Sequence, residues 1–293
     1  MNDVPALFFE GLVSQFFFKE ALSCGSALSG LPGHVASEAC AKRCRHCMGL
    51  RNGRLEEESY LNCEHQELDI ETPSRKYLHY TEITICADEE EYSTDPEAME
   101  RLLSATKKKH ILLSLETPNI SEEIAKCVGS MRFVFYLHVD TKITSDVLKM
   151  MRSLVKKNTL NAMEIGDDVE IEDETAQLLV DLLKQKQFHE MFLRGKCSAA
   201  LKEIIASWRE NSEQMVGKMV YCRGFSELQF PSTEFPFEKC IEDDERDAKR
   251  AYPFAADWPD ITTKSVLRNQ DGSAVYCFLR PSFEHFKSEF VFA

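Results

Sequence analysis

Three cysteines in the segment CAKRCRHC have a spacing that could hold a metal cluster. Cys40, Cys44 and Cys47 are spaced CxxxCxxC, and three thiolates with this spacing can bind a [4Fe–4S] cluster. Such ligands converge when they lie in a loop that follows a buried strand. The preceding residues LPGHVASEA are small or polar and show no strand pattern. The context therefore does not favour an iron–sulfur enzyme.

A helix is the interpretation that this segment favours. On a helix Cys40, Cys44 and Cys47 lie at i, i+4 and i+7, so they share one face with Ala36. Cysteine is a small apolar residue that is often buried. The spacing therefore predicts buried, unreactive thiols on a helix.

A structural zinc site is a second alternative for two of these cysteines. Cys44 and Cys47, together with Cys63 and His65, form a CxxC…CxH set of four suitable ligands. Such a site would tie the third N-terminal helix to the segment that follows it. The sequence leaves this alternative open.

The histidines do not indicate a catalytic site. His138 and His189 lie in strand-like runs and have no cysteine or serine nucleophile beside them in a recognised motif. A histidine on a strand is more often a hydrogen-bonded surface residue than a catalytic base. We therefore expect a protein that is not an enzyme and needs no cofactor.

Composition and charge exclude several classes of function. The chain has 293 residues and a net charge of −14, which disfavours nucleic-acid binding because that requires clustered cationic side chains. Its apolar clusters are shorter than the roughly 20 residues that span a bilayer. Eleven cysteines without a secretory signal predict reduced thiols and a cytoplasmic or nuclear protein.

Residues 77–225 repeat a strand–helix unit without repeating its letters. The strand-like runs are TEITICA, ILLSLE, FVFYLHVD, NAMEIGD, FHEMFLRG and KMVYCRG, with equivalent apolar positions at Ile83, Leu113, Leu137, Met163, Met191 and Met219. Helix-opening residues stand between the runs, at Asp95, Ser121, Thr144, Asp173 and Ser198. A period of about 28 residues predicts an α/β fold, a leucine-rich-repeat-like solenoid of parallel strands and helices. The helix after Asp95 should bury Met99, Leu102 and Leu103.

The residues on either side of the repeats follow other patterns. Residues 226–293 begin with an irregular, Pro-rich and charged excursion, after which Asp271-Gly272 separates two alternating runs and predicts a C-terminal β-hairpin cap. At the other end, residues 1–48 predict three short helices, and residues 49–76 connect them to the repeats. The first helix has a wide apolar stripe.

The N-terminal helices, the repeats and the hairpin together resemble a known family. The Val4-Pro5 opening, the LSG segment at residues 28–30 and the DGS turn at residues 271–273 are similar to the F-box-like proteins expanded in nematodes. The resemblance implies an N-terminal F-box-like unit that binds a Skp-family adaptor and, through it, a cullin ubiquitin ligase. The residues that it assigns to adaptor binding are Val4, Pro5, Phe8, Phe9, Leu12, Val13 and Phe16.

The function that this resemblance implies is capture of a target protein for ubiquitination. We expect the target to bind the strand face that is opposite the helices, where side chains alternate with the buried ones. These residues are Glu82, Thr84, Ser114, Glu116, Tyr136, His138, Asp140, Glu164, Phe192 and Arg194. The alternatives are a protein-binding module that keeps only a relic of the F-box, or a metal-binding enzyme that uses Cys40, Cys44 and Cys47.

Overall fold

The chain folds as a mixed α/β protein, as predicted. The computed structural model describes residues 27–62, 65–68, 78–87, 95–105, 110–195, 197–223, 237–240, 246–247, 263–281 and 286–293. These residues hold seven helices and twelve strands. They belong to two compact units, Met1–Leu112 and Leu113–Ala293.

The first unit is built on a β-hairpin. It contains helix α1 (Leu31–Lys42), strands β1 (Cys44–Arg51), β2 (Arg54–Asn62) and β3 (Leu78–Cys86), and helix α2 (Pro96–Ala105). Strand β1 lies in the centre, antiparallel to β2 and parallel to β3. Asn52 and Gly53 form the hairpin turn with φ values of 49° and 76°, and Asn-Gly is favoured at a turn that needs two positive φ angles.

The predicted helix through the three cysteines is wrong. Helix α1 ends at Lys42, Arg43 is extended with ψ of 133°, and Cys44 begins β1. Alternate residues of β1 are buried, so Cys44 and Cys47 project to opposite faces of the sheet. Their thiols therefore do not converge on one centre, which contradicts both the cluster of Cys40, Cys44 and Cys47 and the zinc site built on Cys44 and Cys47.

Strands and helices alternate along the second unit, as the repeats predict. The order is β4 (Ile111–Leu115), α3 (Glu122–Ser130), β5 (Val134–Val139), α4 (Ser145–Val155), β6 (Ala162–Ile165), α5 (Asp173–Leu183), β7 (Glu190–Leu193), α6 (Ser198–Glu210), α7 (Ser212–Met215) and β8 (Met219–Arg223). The boundary between the units falls within β4. Strands β5 to β8 are parallel neighbours. Helices α3 to α6 pack successively against one another, along one side of this sheet.

Sheet register confirms three equivalent apolar positions in the second unit and corrects a fourth. Leu137, Met163 and Met191 are paired across β5, β6 and β7 and are buried. The residue paired with Met191 on β8 is Val220 and not Met219. Because side chains alternate along a strand, this shift of one residue turns Met219 to the opposite face. There it packs in a second apolar cluster with Val266, Ala274, Tyr276, Phe278 and Val291.

Three predicted helix openers are confirmed as N-caps with side-chain hydrogen bonds. The carboxylate of Asp95, directly before Pro96, accepts from the backbone N–H of Glu97 at 3.3 Å. The hydroxyls of Ser121 and Thr144 accept from the backbone N–H groups of Ile124 and Val147, three residues later. Asp173 and Ser198 are instead the first residues of their helices. The predicted burial of Leu103 is wrong, because its exposed fraction is 48% and α2 buries Ala98, Leu102 and Ala105.

Long polar side chains join consecutive repeats by binding carbonyls at or after the end of the preceding repeat's helix. The Lys157 ammonium donates to the Gly129 carbonyl and, at 3.0 Å, to that of Met131. The Gln185 amide donates to Val155, one repeat earlier, at 2.8 Å. Lys218 Nζ donates to the carbonyls of Gln185 and Phe188 at 2.8 and 2.5 Å. Lys157 and Gln185 thus bind carbonyls at the C-terminal end of a helix, where a helix leaves acceptors unpaired. Lys218 binds carbonyls of the loop that follows α5.

The C-terminal residues extend the second unit with antiparallel strands. They form β9 (Glu238–Lys239), β10 (Thr263–Arg268), β11 (Ala274–Pro281) and β12 (Phe286–Phe292), in the order β8-β12-β11-β10-β9. The predicted hairpin at Asp271-Gly272 is confirmed, with β10 paired to β11. Strand β12 inserts between β8 and β11. Across the described residues, no helix is both long and apolar enough to cross a membrane.

Candidate functional site

The strand face of the second unit that is opposite the helices carries polar and aromatic side chains on β4 to β7. On β8 it borders the second apolar cluster, in which Met219 is buried and against which Tyr221 packs. We call this strand face the open face, and it comprises Ser114, Tyr136, His138, Glu164, Phe192 and Tyr221, with Glu116, Asp140, Arg194 and Arg223 at or just beyond the strand ends. The sheet register places His138, Glu164, Phe192 and Tyr221 in one row across β5 to β8. The residues between them along each strand lie in the core. Strand alternation thus presents these side chains on one surface.

Glu164 is the centre of a hydrogen-bonded network on this face. Its exposed fraction is only 8%. Its Oε1 atom lies 2.6 Å from Nε of Arg194 and 3.6 Å from Nε2 of His138, and the Tyr136 hydroxyl donates to Oε2. A carboxylate that is taken out of water requires a counter-charge and hydrogen-bond donors. Burial, and then the hydrogen bond to Glu164, raises the pKa of Tyr136.

Ser114 extends the network through His138. The hydroxyl oxygen of Ser114 lies 3.0 Å from Nδ1 of His138, and it can also donate to Oε1 of Glu116 at 3.3 Å. Serine, histidine and glutamate in sequence are the components of a nucleophilic triad. Here Ser114 is only 6% exposed, and Arg194 already balances the charge of Glu164. The arrangement therefore favours a fixed polar surface over an activated nucleophile.

An aromatic pair lies beside this network. The rings of Phe192 and Tyr221 are stacked, with centroids 4.5 Å apart and an interplanar angle of 4°. Both side chains are half-buried, and Phe192 is paired in register with Glu164. The open face thus combines a stacked aromatic pair with an adjacent arginine, Arg194, and aromatic and arginine side chains are enriched where proteins bind one another.

Close packing positions the carboxylate of Asp140 at the ends of β5 and β6. A methyl group built on Gly166 would lie 1.8 Å from Oδ1 of Asp140 and 3.0 Å from its Cα. Backbone hydrogen bonds hold the two segments together, from Asp140 N–H to the Leu115 carbonyl and from Gly166 N–H to the Val139 carbonyl, both at 2.8 Å. Only glycine allows this approach, so Gly166 fixes the position of Asp140.

The structure brings most of the predicted target-binding residues together. Ser114, Glu116, Tyr136, His138, Glu164 and Arg194 form the connected network described above, with Phe192 and Asp140 as its neighbours. Sequence reasoning missed Tyr221 and the ion pair between Arg223 and Asp167, which measures 2.7 Å. The run KMVYCRG contains Tyr221 and Arg223, and aligning Val220 with Met191 would have placed both on this face.

Glu82 and Thr84 lie in the first unit, on β3, and Glu82 belongs to a separate cluster there. Arg45 NH1 is 3.1 Å from Oε2 of Glu82 and 3.3 Å from the Tyr80 hydroxyl. The Cys47 thiol donates to Glu82 at 3.8 Å. Burial, and then the charge of Glu82, raises the pKa of Cys47 to about 11. This thiol therefore stays protonated at neutral pH, unlike a metal ligand or a nucleophile.

Some of the predicted site residues lie outside the described residues. They are Cys63 of the zinc set and the whole adaptor-binding set, Val4, Pro5, Phe8, Phe9, Leu12, Val13 and Phe16. Among the residues that the structure does describe, no three or more His, Cys, Asp or Glu side chains are grouped so that they could hold a metal ion.

Comparison with known proteins adds no relative. The chain matches none of the protein-family profiles, none of the curated proteins and none of the solved structures with which it was compared.

Proposed function

We propose that this protein is a non-enzymatic recognition subunit that captures a target protein on its open face. The observation that supports this proposal is the buried Glu164 carboxylate, held by Arg194 and Tyr136 beside the stacked Phe192 and Tyr221 rings. A surface whose polar groups are already oriented loses little conformational entropy when a partner binds. Aromatic and arginine side chains of this kind supply much of the affinity at protein interfaces.

We further propose that the chain delivers its target to a Skp–cullin–F-box ubiquitin ligase. This part of the proposal rests on the resemblance of residues 1–48 and of the repeats to F-box-like proteins. In the helix that the sequence predicts at the start of that unit, Phe8, Leu12 and Phe16 are spaced i, i+4 and i+8, and Phe9 and Val13 widen the predicted apolar stripe. A stripe of this width can pack on its own unit and still offer apolar area to an adaptor.

The expected compartment agrees with this role. Skp–cullin ligases work in the cytoplasm and nucleus, and we expect the protein there. The described cysteines are thiols and not disulfides, which is the usual state in a reducing compartment.

Binding of a purified Skp-family adaptor tests the ligase role. Changing Phe9 and Val13 together to Ala should weaken adaptor binding by at least ~2 kcal/mol, on the order of 30-fold, because aromatic and apolar anchors dominate such interfaces. Leu103→Ala is the matched control, since it truncates an apolar side chain that is exposed on α2. Circular dichroism must show that all three proteins are folded.

The same experiment separates the two binding functions. A folded parent chain that does not bind the adaptor would contradict the ligase role. It would favour the alternative, a protein-binding module that keeps only a relic of the F-box. That alternative still predicts capture of a target on the open face.

A further inference from the structure

The open face carries two acidic side chains that no basic side chain of the described residues neutralises. Both arginines are occupied, Arg194 by Glu164 at 2.6 Å and Arg223 by Asp167 at 2.7 Å. Glu116 and Asp140 are exposed, and among the described residues no cationic side chain pairs with either of them. The ends of β4 and β5 therefore present negative charge that a partner can neutralise.

The aromatic pair has the geometry to receive a cation. An ammonium or guanidinium group is attracted to the face of an aromatic ring, and more strongly where water is partly excluded. The Phe192 ring is half-buried. Its stack with Tyr221 of β8 covers one ring face and leaves the other towards β6, where its neighbour in register is Glu164. A guanidinium on that second face would thus lie near a carboxylate as well as a π-surface, and arginine suits both contacts.

We propose that the open face recognises a basic segment of the target protein, and this inference rests on the function proposed above. One arginine or lysine of the segment lies on the face of Phe192 that Tyr221 does not cover. A second reaches the carboxylates of Asp140 and Glu116. Complementary charge of this kind steers encounter and fixes register at an interface.

The spacing of the strands sets the spacing of the two cationic residues. Asp140 follows β5 and Phe192 lies on β7, two strands away, and neighbouring strands are ~4.8 Å apart. Glu116 follows β4, one strand further. The two carboxylates also lie two residues, or ~7 Å, further along the strands than Phe192, so they are about 12 to 16 Å from its ring. A cation on the β6 side of that ring is ~3.5 Å closer to them, and an extended chain covers ~3.3 Å per residue. The segment should carry its cationic residues about three to four positions apart.

Selection from a random twelve-residue peptide display library tests the inference. The baits are the full parent chain, Glu116→Gln/Asp140→Asn, Phe192→Ala and the control Glu203→Gln/Glu210→Gln. The control neutralises two carboxylates that are exposed on α6, so it matches the first variant in net charge. Parent and control should enrich peptides with two cationic residues spaced three or four apart. With Glu116→Gln/Asp140→Asn or with Phe192→Ala as bait, the enrichment of these peptides should be at least tenfold lower than with the parent chain.

Three results would overturn the inference. If the control lost as much enrichment as Glu116→Gln/Asp140→Asn, the binding would reflect overall acidity and not this face. If peptides that depend on Phe192 proved neutral or acidic, the cationic partner would be wrong, while target capture by the open face would stand. If no enriched peptide depended on any open-face residue, both the inference and the proposed binding face would fail.

Discussion

Arg194 Nε lies 2.6 Å from Oε1 of Glu164, and the two side chains are exposed very differently. The arginine side chain is 52% exposed and that of the glutamate 10%. The pair therefore connects a buried carboxylate to a solvent-exposed cation that a partner can reach. Without Arg194, the Glu164 carboxylate keeps Tyr136 and His138 as partners but loses the permanent positive charge that balances its own.

This ion pair should stabilise the fold more than an exposed pair does. Arg194→Met should lower the free energy of unfolding by about 1–2 kcal/mol, discounted for the exposure of the arginine. The control is Arg152→Met, which removes an ion pair with Glu174 at 2.9 Å whose partners are both exposed. That variant should lose less than about 0.5 kcal/mol. Equal losses in urea titrations would show that Glu164 does not depend on Arg194.

Lys218 should be an important stabilising side chain between repeats. Its ammonium is buried and donates to the carbonyls of Gln185, Lys186 and Phe188. Lys218→Met keeps the apolar stem and leaves buried acceptors without a donor, which should cost about 2–4 kcal/mol. Lys149→Met, which breaks an exposed pair with Asp146, should cost less than about 0.5 kcal/mol. If urea midpoints of the two variants coincided, the buried hydrogen bonds would not stabilise the repeats.

Because Gly166 and Asp140 lie so close together, we expect a substitution of Asp140 to restore part of the stability that a substitution of Gly166 removes. Gly166→Ala places a methyl group where Oδ1 of Asp140 lies, so it should destabilise the chain by about 1–3 kcal/mol. Adding Asp140→Ala removes the carboxylate and should recover part of that loss, although the Cα of residue 140 stays close. A double-mutant cycle in urea measures the coupling. Additive effects would mean that the two side-chain positions are independent.

Asp271 should make stability depend on pH at the hairpin turn. Hydrogen bonds from the hydroxyl of Ser212, at 2.6 Å, and from Ser273 lower the pKa of Asp271 from 3.8 to about 2. Because the pKa is lower in the folded chain than in the unfolded chain, the contribution is complete above pH ~4 and is lost as the pH falls towards ~2. The stability gap between the parent and Asp271→Asn should therefore narrow over that interval.

Ser212→Ala supplies the control for this pH dependence. It removes one of the donors that lower the pKa of Asp271. The difference in free energy of unfolding between the parent and Ser212→Ala should therefore also decrease as the pH falls. If the difference in unfolding free energy from the parent stayed constant between pH ~4 and pH ~2 for both variants, Asp271 would not be held ionised by these hydroxyls.

Local sequence patterns were sufficient to predict the repeats. Short apolar runs located β4 to β8, and Asp95, Ser121 and Thr144 marked three helix starts. These signals depend on neighbours within one turn or one strand. Such signals do not determine how many residues a loop contains. One additional residue before β8 was enough to turn Met219 away from the core face on which Leu137, Met163 and Met191 lie.

The cysteine segment shows why spacing alone misled. Cys40, Cys44 and Cys47 fit a helical face, but His46, Met48 and Leu50 fit a strand equally well. The deciding signal was Asn52-Gly53, a hairpin turn that requires β1 before it and β2 after it. The hydrogen bonds of Glu164 could not be predicted at all, because register across three parallel strands determines them.

The most direct test of the central claim is a photo-cross-link from the open face. A chain with p-benzoylphenylalanine in place of Phe192 should form a covalent adduct with one target protein in cells. Adding Glu164→Gln should reduce that adduct at least tenfold, because the side chain of Arg194 loses its charged partner beside the rings. The same probe in place of Gln177, which is exposed on α5, should not label that protein. Labelling of that protein from Gln177 but not from position 192, or an adduct unchanged by Glu164→Gln, would contradict target capture on the open face.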